Sequence, residues 1–468
     1  MSTIETMRVS DSIRASAPPT ALVLTGLAAV AVGALLLFAA PARPPAGREP
    51  LSPLAAQVLG PLAYRLPVLV HEDPDQTIAF YFQKAQTDTG GMTRALLAAS
   101  YLAKARLGGG PHWYLLADGA ARESLAALPF ENERAELVLA RVAEARHDFA
   151  QAIAMARRVM AKKARHPEAI GVLYACALAR GRLPEALEHA SALLAQEPAA
   201  ATCALRAAVY LAQGRDARAG ADLRHALALE EVGELEASAR ARTLLGRLAQ
   251  RRGETLLAGA LYREALRLQP RFAPALVARA ELELATGRQL GSEVDLLAAD
   301  ALAPLPGLRV LAARVLARRA PAEAAALGER TERDLRRDLG VGGMGHRRDL
   351  AALLCDRGTP AAYAEAAALM EAEAGVRRDA VTLELLARTR LATGRAADAE
   401  AAIAEALAPP PDAAGEEIRH EPWLLVTGAH VAQVLGRPDL ARARLSEALA
   451  GGAPFPERAA AARAVAAP

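Results

Sequence analysis

Apolar residues recur along this chain at the three-and-four spacing of helix faces, and the pattern is cut into pieces of similar length. The stretch from Arg252 to Pro270, RGETLLAGALYREALRLQP, is one such piece: a Gly near its start, an amphipathic helix, then a Pro that stops it. Almost the same arrangement returns around Gly181, Gly214, Gly287, Gly394 and Gly436, each followed by an Arg. His147-Asp148 takes the same place one unit earlier, and from there the intervals are 34, 33, 39 and 34 residues. The gap from Gly287 to Gly358 is 71 residues, room for two units, and the degenerate stretch Arg318 to Glu329 fits the missing one. Self-similarity near 34 residues predicts stacked helical hairpins.

Positions within each piece agree. Five residues after the Gly stand Ala152, Ala186, Ala219, Ala258, Ala399 and Ala441, with Ser292 as the small exception. Twelve after it stand Ala226, Ala265, Ala299, Ala406 and Ala448, and seventeen after it Pro198, Pro270, Pro304 and Pro411. The Gly accepts the left-handed conformation that ends a first helix. The small residues let helices approach closely, and the Pro stops the second helix.

This frame resembles the tetratricopeptide repeat. Leu245 and Gly246 match the Leu and small residue of its first helix, Tyr210 matches its Tyr, and Leu386 and Ala387 do the same job before Gly394. The resemblance covers about residues 76 to 455 and is weak between Gly291 and Met344. It implies an all-α fold, a right-handed superhelical solenoid of eight to ten helix-turn-helix repeats over 76–468, degenerate around 291–344. The portion from Gly345 onward is also similar to a recurring C-terminal segment of bacterial tetratricopeptide proteins.

After a short tail, 1–20, residues Ala21 to Ala40 form twenty residues without a charge. As a helix they extend about 30 Å, enough to cross a hydrocarbon core. An anchor and a signal peptide both fit; Ala40-Pro41-Ala42 has the form of a cleavage site. The length of the run, and Pro41 and Pro44 at the scissile bond, favour the transmembrane anchor. Flanking arginines are nearly balanced, and the habit of signal anchors places the solenoid on the extracytoplasmic side of a bacterial inner membrane. Residues 41–75 read as a Pro-rich, semi-rigid spacer.

Composition adds limits. Aromatics make up only 4% of the chain, so close packing on small residues replaces a bulky core. The net charge of +3 and the lack of a basic block interleaved with aromatics give no sign of nucleic acid. Lysine occurs only four times against many arginines, which reflects a GC-rich bacterial genome. Cys176, Cys203 and Cys355 follow neither CxxC nor zinc spacing and read as buried free thiols, a Cys176–Cys203 disulfide being the other possibility.

No catalytic, metal or cofactor constellation stands out. GVGGMG, Gly340 to Gly345, satisfies G-x-G-x-x-G formally, yet follows a charged helix and no strand, so it reads as a loop. His346 and Asp349 read as helix-start chemistry. Substrate-binding tetratricopeptide domains use the inner faces of their first helices, and the resemblance projects Arg134, Arg141, Arg240, Arg247 and Arg251 onto those faces. Arg240, Arg247 and Arg251 recur at i, i+7 and i+11, on one side of a helix. They are the candidate partner-binding residues, able to pair with peptide carboxylates above an Ala-lined floor. The chaperone-type carboxylate clamp is absent. The expectation is a membrane-anchored scaffold or adaptor, not an enzyme, that binds protein or peptide partners. It would need no cofactor, metal, nucleic acid or small-molecule substrate. The alternatives are an accessory or sensor subunit of an envelope enzyme or secretion complex, and a secreted periplasmic protein after signal cleavage.

Overall fold

The computed structural model describes residues 60–67, 74–106, 111–302, 305–340 and 346–466. The chain divides into two units, Met1–Pro50 and Leu51–Pro468, and every described residue belongs to the second. The span at 21–40, much of the spacer and the loop at 341–345 lie outside the described residues. Among those described, no helix is long and apolar enough to cross a membrane.

The described residues form twenty-two α-helices and no strand. After α1 (Pro74–Thr87) come ten hairpins. They are α2 (Gly91–Lys104) with α3 (Pro111–Ala127), α4 (Glu133–Ala145) with α5 (Phe149–Lys162), and α6 (Pro167–Ala179) with α7 (Leu183–Gln196). Next stand α8 (Ala200–Ala212) with α9 (Asp216–Ala228), α10 (Leu235–Arg251) with α11 (Thr255–Leu268), and α12 (Ala273–Thr286) with α13 (Ser292–Leu302). Then follow α14 (Pro306–Leu316) with α15 (Pro321–Gly340), and α16 (Arg347–Arg357) with α17 (Pro360–Ala374). The series ends with α18 (Ala380–Ala392) and α19 (Ala396–Ala406), α20 (Pro422–Val434) and α21 (Pro438–Ala450), and a last helix α22 (Arg458–Ala466).

The frame read from the sequence sets the turns. Gly181, Gly214, Gly253, Gly287, Gly358, Gly394 and Gly436 all have positive φ, and His147 adopts the same left-handed conformation at φ 60°. The degenerate hairpin differs: α14 passes to α15 through Arg318 to Ala320 with no left-handed residue, and Pro321 starts the next helix. Ala152, Ala186, Ala219, Ala258 and Ala399 are completely buried, as are Ala226 and Ala265. These small residues lie in the apolar clusters that join each hairpin to its neighbours.

Part of the expected spacer is no spacer. Tyr64 packs with Leu235, Ala239, Leu268 and Phe272 at the junction of α10, α11 and α12. Its backbone N–H donates to Glu264 Oε1 at 3.0 Å, and the Arg242 guanidinium lies 5.5 Å from its ring centre. An aromatic among prolines supplies the anchor that a composition-based reading overlooks.

The helical unit coils far enough for a later stretch to meet an earlier one. Arg378 N–H donates to Ala179 O and Arg419 N–H to Gly214 O, each at 3.0 Å. His147 Nδ1 stands 2.9 Å from Glu373 Oε1, and Arg215 Nη2 donates to Asp412 Oδ1 at 2.6 Å. Gly253 lies against Gly452 in the same way. Each pair is separated by roughly 200 residues of chain, so the earlier and later coils run alongside each other in register.

Candidate partner-binding cavity

The first helices of the hairpins face inward. From the earlier coil α6, α8, α10 and α12, and from the later coil α18 and α20, line a cavity of about 1530 Å³. The Pro409–Pro411 run and the segment around Phe455 complete its wall. Small residues of the inner faces, among them Ala175, Ala208, Ala212 and Ala285, keep it open. Two large apolar side chains remain uncovered in it: Trp423 at the start of α20, 37% exposed, and Val381 at the start of α18, 49% exposed.

Charges in the wall are interleaved. Arg247 Nη1 lies 3.1 Å from Glu281 Oε2, and that carboxylate raises the guanidinium pKa further above its ordinary range. Thr427 Oγ1 donates to Glu384 Oε1 at 2.7 Å, with Arg388 Nε 3.8 Å from the same oxygen. Burial pushes the Glu384 carboxyl above its usual range, opposed by Arg388 and Thr427. Tyr174 also lines the cavity; its hydroxyl donates to Leu205 O at 3.0 Å, and burial pushes its pKa up to about 12. The wall therefore presents apolar surface with paired, opposite charges, which suits an amphipathic segment. Among the described residues, no group of three or more His, Cys, Asp or Glu is placed to hold a metal ion.

The five arginines separate. Arg247 faces the cavity. Arg251 also borders it, but its side chain is 6% exposed and its two terminal nitrogens are held within the protein. It donates to Leu211 O at 2.9 Å and to Arg419 O, and sits 3.3 Å from Asp216. Arg240 pairs with Glu236 and lies 5.5 Å from the Phe272 ring centre, away from the cavity wall. The shared helical side of the three therefore splits into a cavity-facing group, an internal tie and a surface pair. Arg141 pairs with Glu144 and covers Gly171, filling the space a Cβ would occupy there. Arg134 is exposed on α4 and stands outside the cavity wall.

The remaining candidates are structural. Cys176, Cys203 and Cys355 are buried free thiols; burial pushes Cys176 up to about 12 and Cys355 to about 11. His346 Nδ1 stands 3.2 Å from Asp349 in the first turn of α16. Nothing in the repeat frame marks Trp423, Val381 or Glu384 as cavity residues. A Trp in an aromatic-poor chain, directly after a helix-starting Pro, is the signal that the sequence carries for Trp423.

Eight of the ten hairpins share one left-handed turn position, and most share one set of buried small residues. The described chain is a solenoid of tetratricopeptide-type repeats. No family model and no curated protein matches the sequence. Among solved structures, the solenoid is similar to a thermophilic tetratricopeptide protein of Thermus thermophilus, TTC0263. They share 24% identity over 42% of this chain and all of that one, with a TM-score of 0.35. Yeast Tom70 matches at 12% identity over 84% of this chain and 91% of its own, TM-score 0.35. Cut9, in the Cut9–Hcn1 hetero-tetramer of APC/C, matches at 11% over 84% and 92%, TM-score 0.38. Scores of this size add nothing to what the hairpins themselves show, and the fold rests on the latter.

Proposed function

We propose that this solenoid is a scaffold that holds a segment of a partner protein in its inner cavity and performs no chemistry there. The observation that carries the reading is the cavity of about 1530 Å³, walled by first helices of both coils, with Trp423 and Val381 left uncovered inside it. Uncovered Trp in a concave site is the kind of anchor that dominates protein recognition. Arg247 with Glu281, and Glu384 with Arg388, supply charges of both signs on either side of it. The charge-free run Ala21–Ala40 serves as the attachment to a bacterial inner membrane, with the solenoid on the extracytoplasmic side.

The test is site-specific photo-crosslinking in intact cells. A photoreactive residue at Trp423 or Val381 should capture one discrete set of proteins, and the same group at exposed Val434, outside the wall, should not. Equal capture at all three positions would remove the cavity from consideration. Carbonate washing of membranes checks the attachment; a soluble product trimmed near Ala42 would contradict it.

A further inference from the structure

The contact between the two coils differs in kind from every other contact in the stack. Neighbouring hairpins are joined by buried apolar clusters, but none of the ten clusters contains residues from both sides of this seam. Backbone hydrogen bonds and charges hold it instead. Arg215 pairs with Asp412 and Glu416, Arg218 pairs with Glu416, and His147 pairs with Glu373. Asp412 is 62% exposed and Arg218 48%, within reach of screening ions, whereas Arg215 and Glu373 are buried and screened less. A second cavity of about 700 Å³, bordered by Arg215, Arg218, Arg252 and Glu416, lies in the seam, so it is not a dry packed joint.

The backbones nevertheless meet closely. A Cβ on Gly181 would lie 2.5 Å from Arg378 O, one on Gly214 2.6 Å from Arg419 O, and one on Gly253 2.6 Å from Gly452 O. At Gly358, Gly394 and Gly436, turns of the same type away from the seam, a Cβ would meet nothing within 4 Å. Glycine at the seam thus serves two needs, the left-handed turn and the approach of a second backbone.

We infer that this seam is a latch: a polar, salt-sensitive joint that holds the two coils together and sets the width of the inner cavity. Parting it separates charges, a few backbone hydrogen bonds and the Arg251 contact to Arg419 O, groups that water can solvate, and leaves the apolar clusters within each coil intact. Parting α6 and α8 from α18 and α20, by contrast, changes the bore directly, because both sets form its wall. The bearing on partner entry rests on the function proposed above; the opening itself does not.

Two spin labels across the seam test the latch on the full chain, at Arg182→Cys and Val376→Cys, exposed positions beside the Gly181–Arg378 contact. The three native thiols are buried and do not compete for label. At low salt one short distance is expected. At about 1 M salt, where the screening length falls to about 3 Å, a longer distance joins it. In the Asp412→Asn, Glu416→Gln double variant the longer distance is present at low salt, with helicity by circular dichroism unchanged. A single short distance in every condition overturns the latch. So does a longer distance that arises only with loss of helicity, because the seam then opens by unfolding.

Discussion

The ring of Tyr262 occupies the space that a side chain at Gly246 would fill. A Cβ built on Gly246 collides with the ring edge, and Tyr262 is fully buried with its hydroxyl donating to Gln250 Oε1 at 2.9 Å. The small residue of the first helix and the aromatic of the second form one joint, which also meets Ala278 and Leu282 of the next hairpin. Gly246→Val should cost about 1–3 kcal/mol through overpacking, read as a lower urea midpoint. Combining it with Tyr262→Leu should recover part of the loss. Additive losses in the double variant would contradict the joint.

Arg251 and Arg240 give opposite expectations despite their shared helix. Removing the buried Arg251 guanidinium takes from Asp216, which is also buried, its nearest opposing charge. Arg251→Ala should therefore cost about 3–5 kcal/mol, and Arg240→Ala at most about 1 kcal/mol. Similar denaturation midpoints for the two variants would refute this division.

Much of this was legible in advance, and the reason is local. The turn glycines and the buried alanines follow from backbone conformation and helix spacing, which short stretches encode. The seam was not legible, because Gly181 and Gly394 carry the same turn signature and only Gly181 meets a second backbone. The same holds for Arg251: its position on the helix gives a direction, but its partners Leu211 and Arg419 come from other parts of the coil. Glu264 on α11 offers a further case, since it accepts from the Tyr64 N–H, a partner 200 residues away in the chain, as well as from Arg267.

The repeat register can be checked at Ala258, which is completely buried. Ala258→Leu should cost about 1–3 kcal/mol by overpacking. Glu188→Leu, at an exposed position of α7, should shift stability by at most about 0.5 kcal/mol. Matched thermal midpoints would disprove the register.

Glu384 sets a pH dependence of definite sign. Its folded pKa is raised by burial, so the folded state holds the proton more tightly than the unfolded chain. Stability at this residue is therefore highest below the unfolded pKa, about 4.3, and falls as pH rises from there to the folded value. Glu384→Gln should exceed wild type in stability at neutral pH and match it in acid. If wild type is instead the more stable at neutral pH, the attraction of Arg388 outweighs burial and the sign is wrong.

The seam also changes how the array comes apart. Stacked repeats with only nearest neighbours fray from both ends. Here Gly452, just past α21, is held against Gly253, and Arg419, just before α20, against Gly214. The C-terminal hairpins are thus clasped to the middle of the array, while α1 to α3 lie between the Tyr64 tie to α10–α12 and the clasp at His147. Amide exchange should begin in α1 to α3, a stretch tied to the rest only at its two ends, while α20 and α21 exchange together with α8 to α11 as one cooperative block.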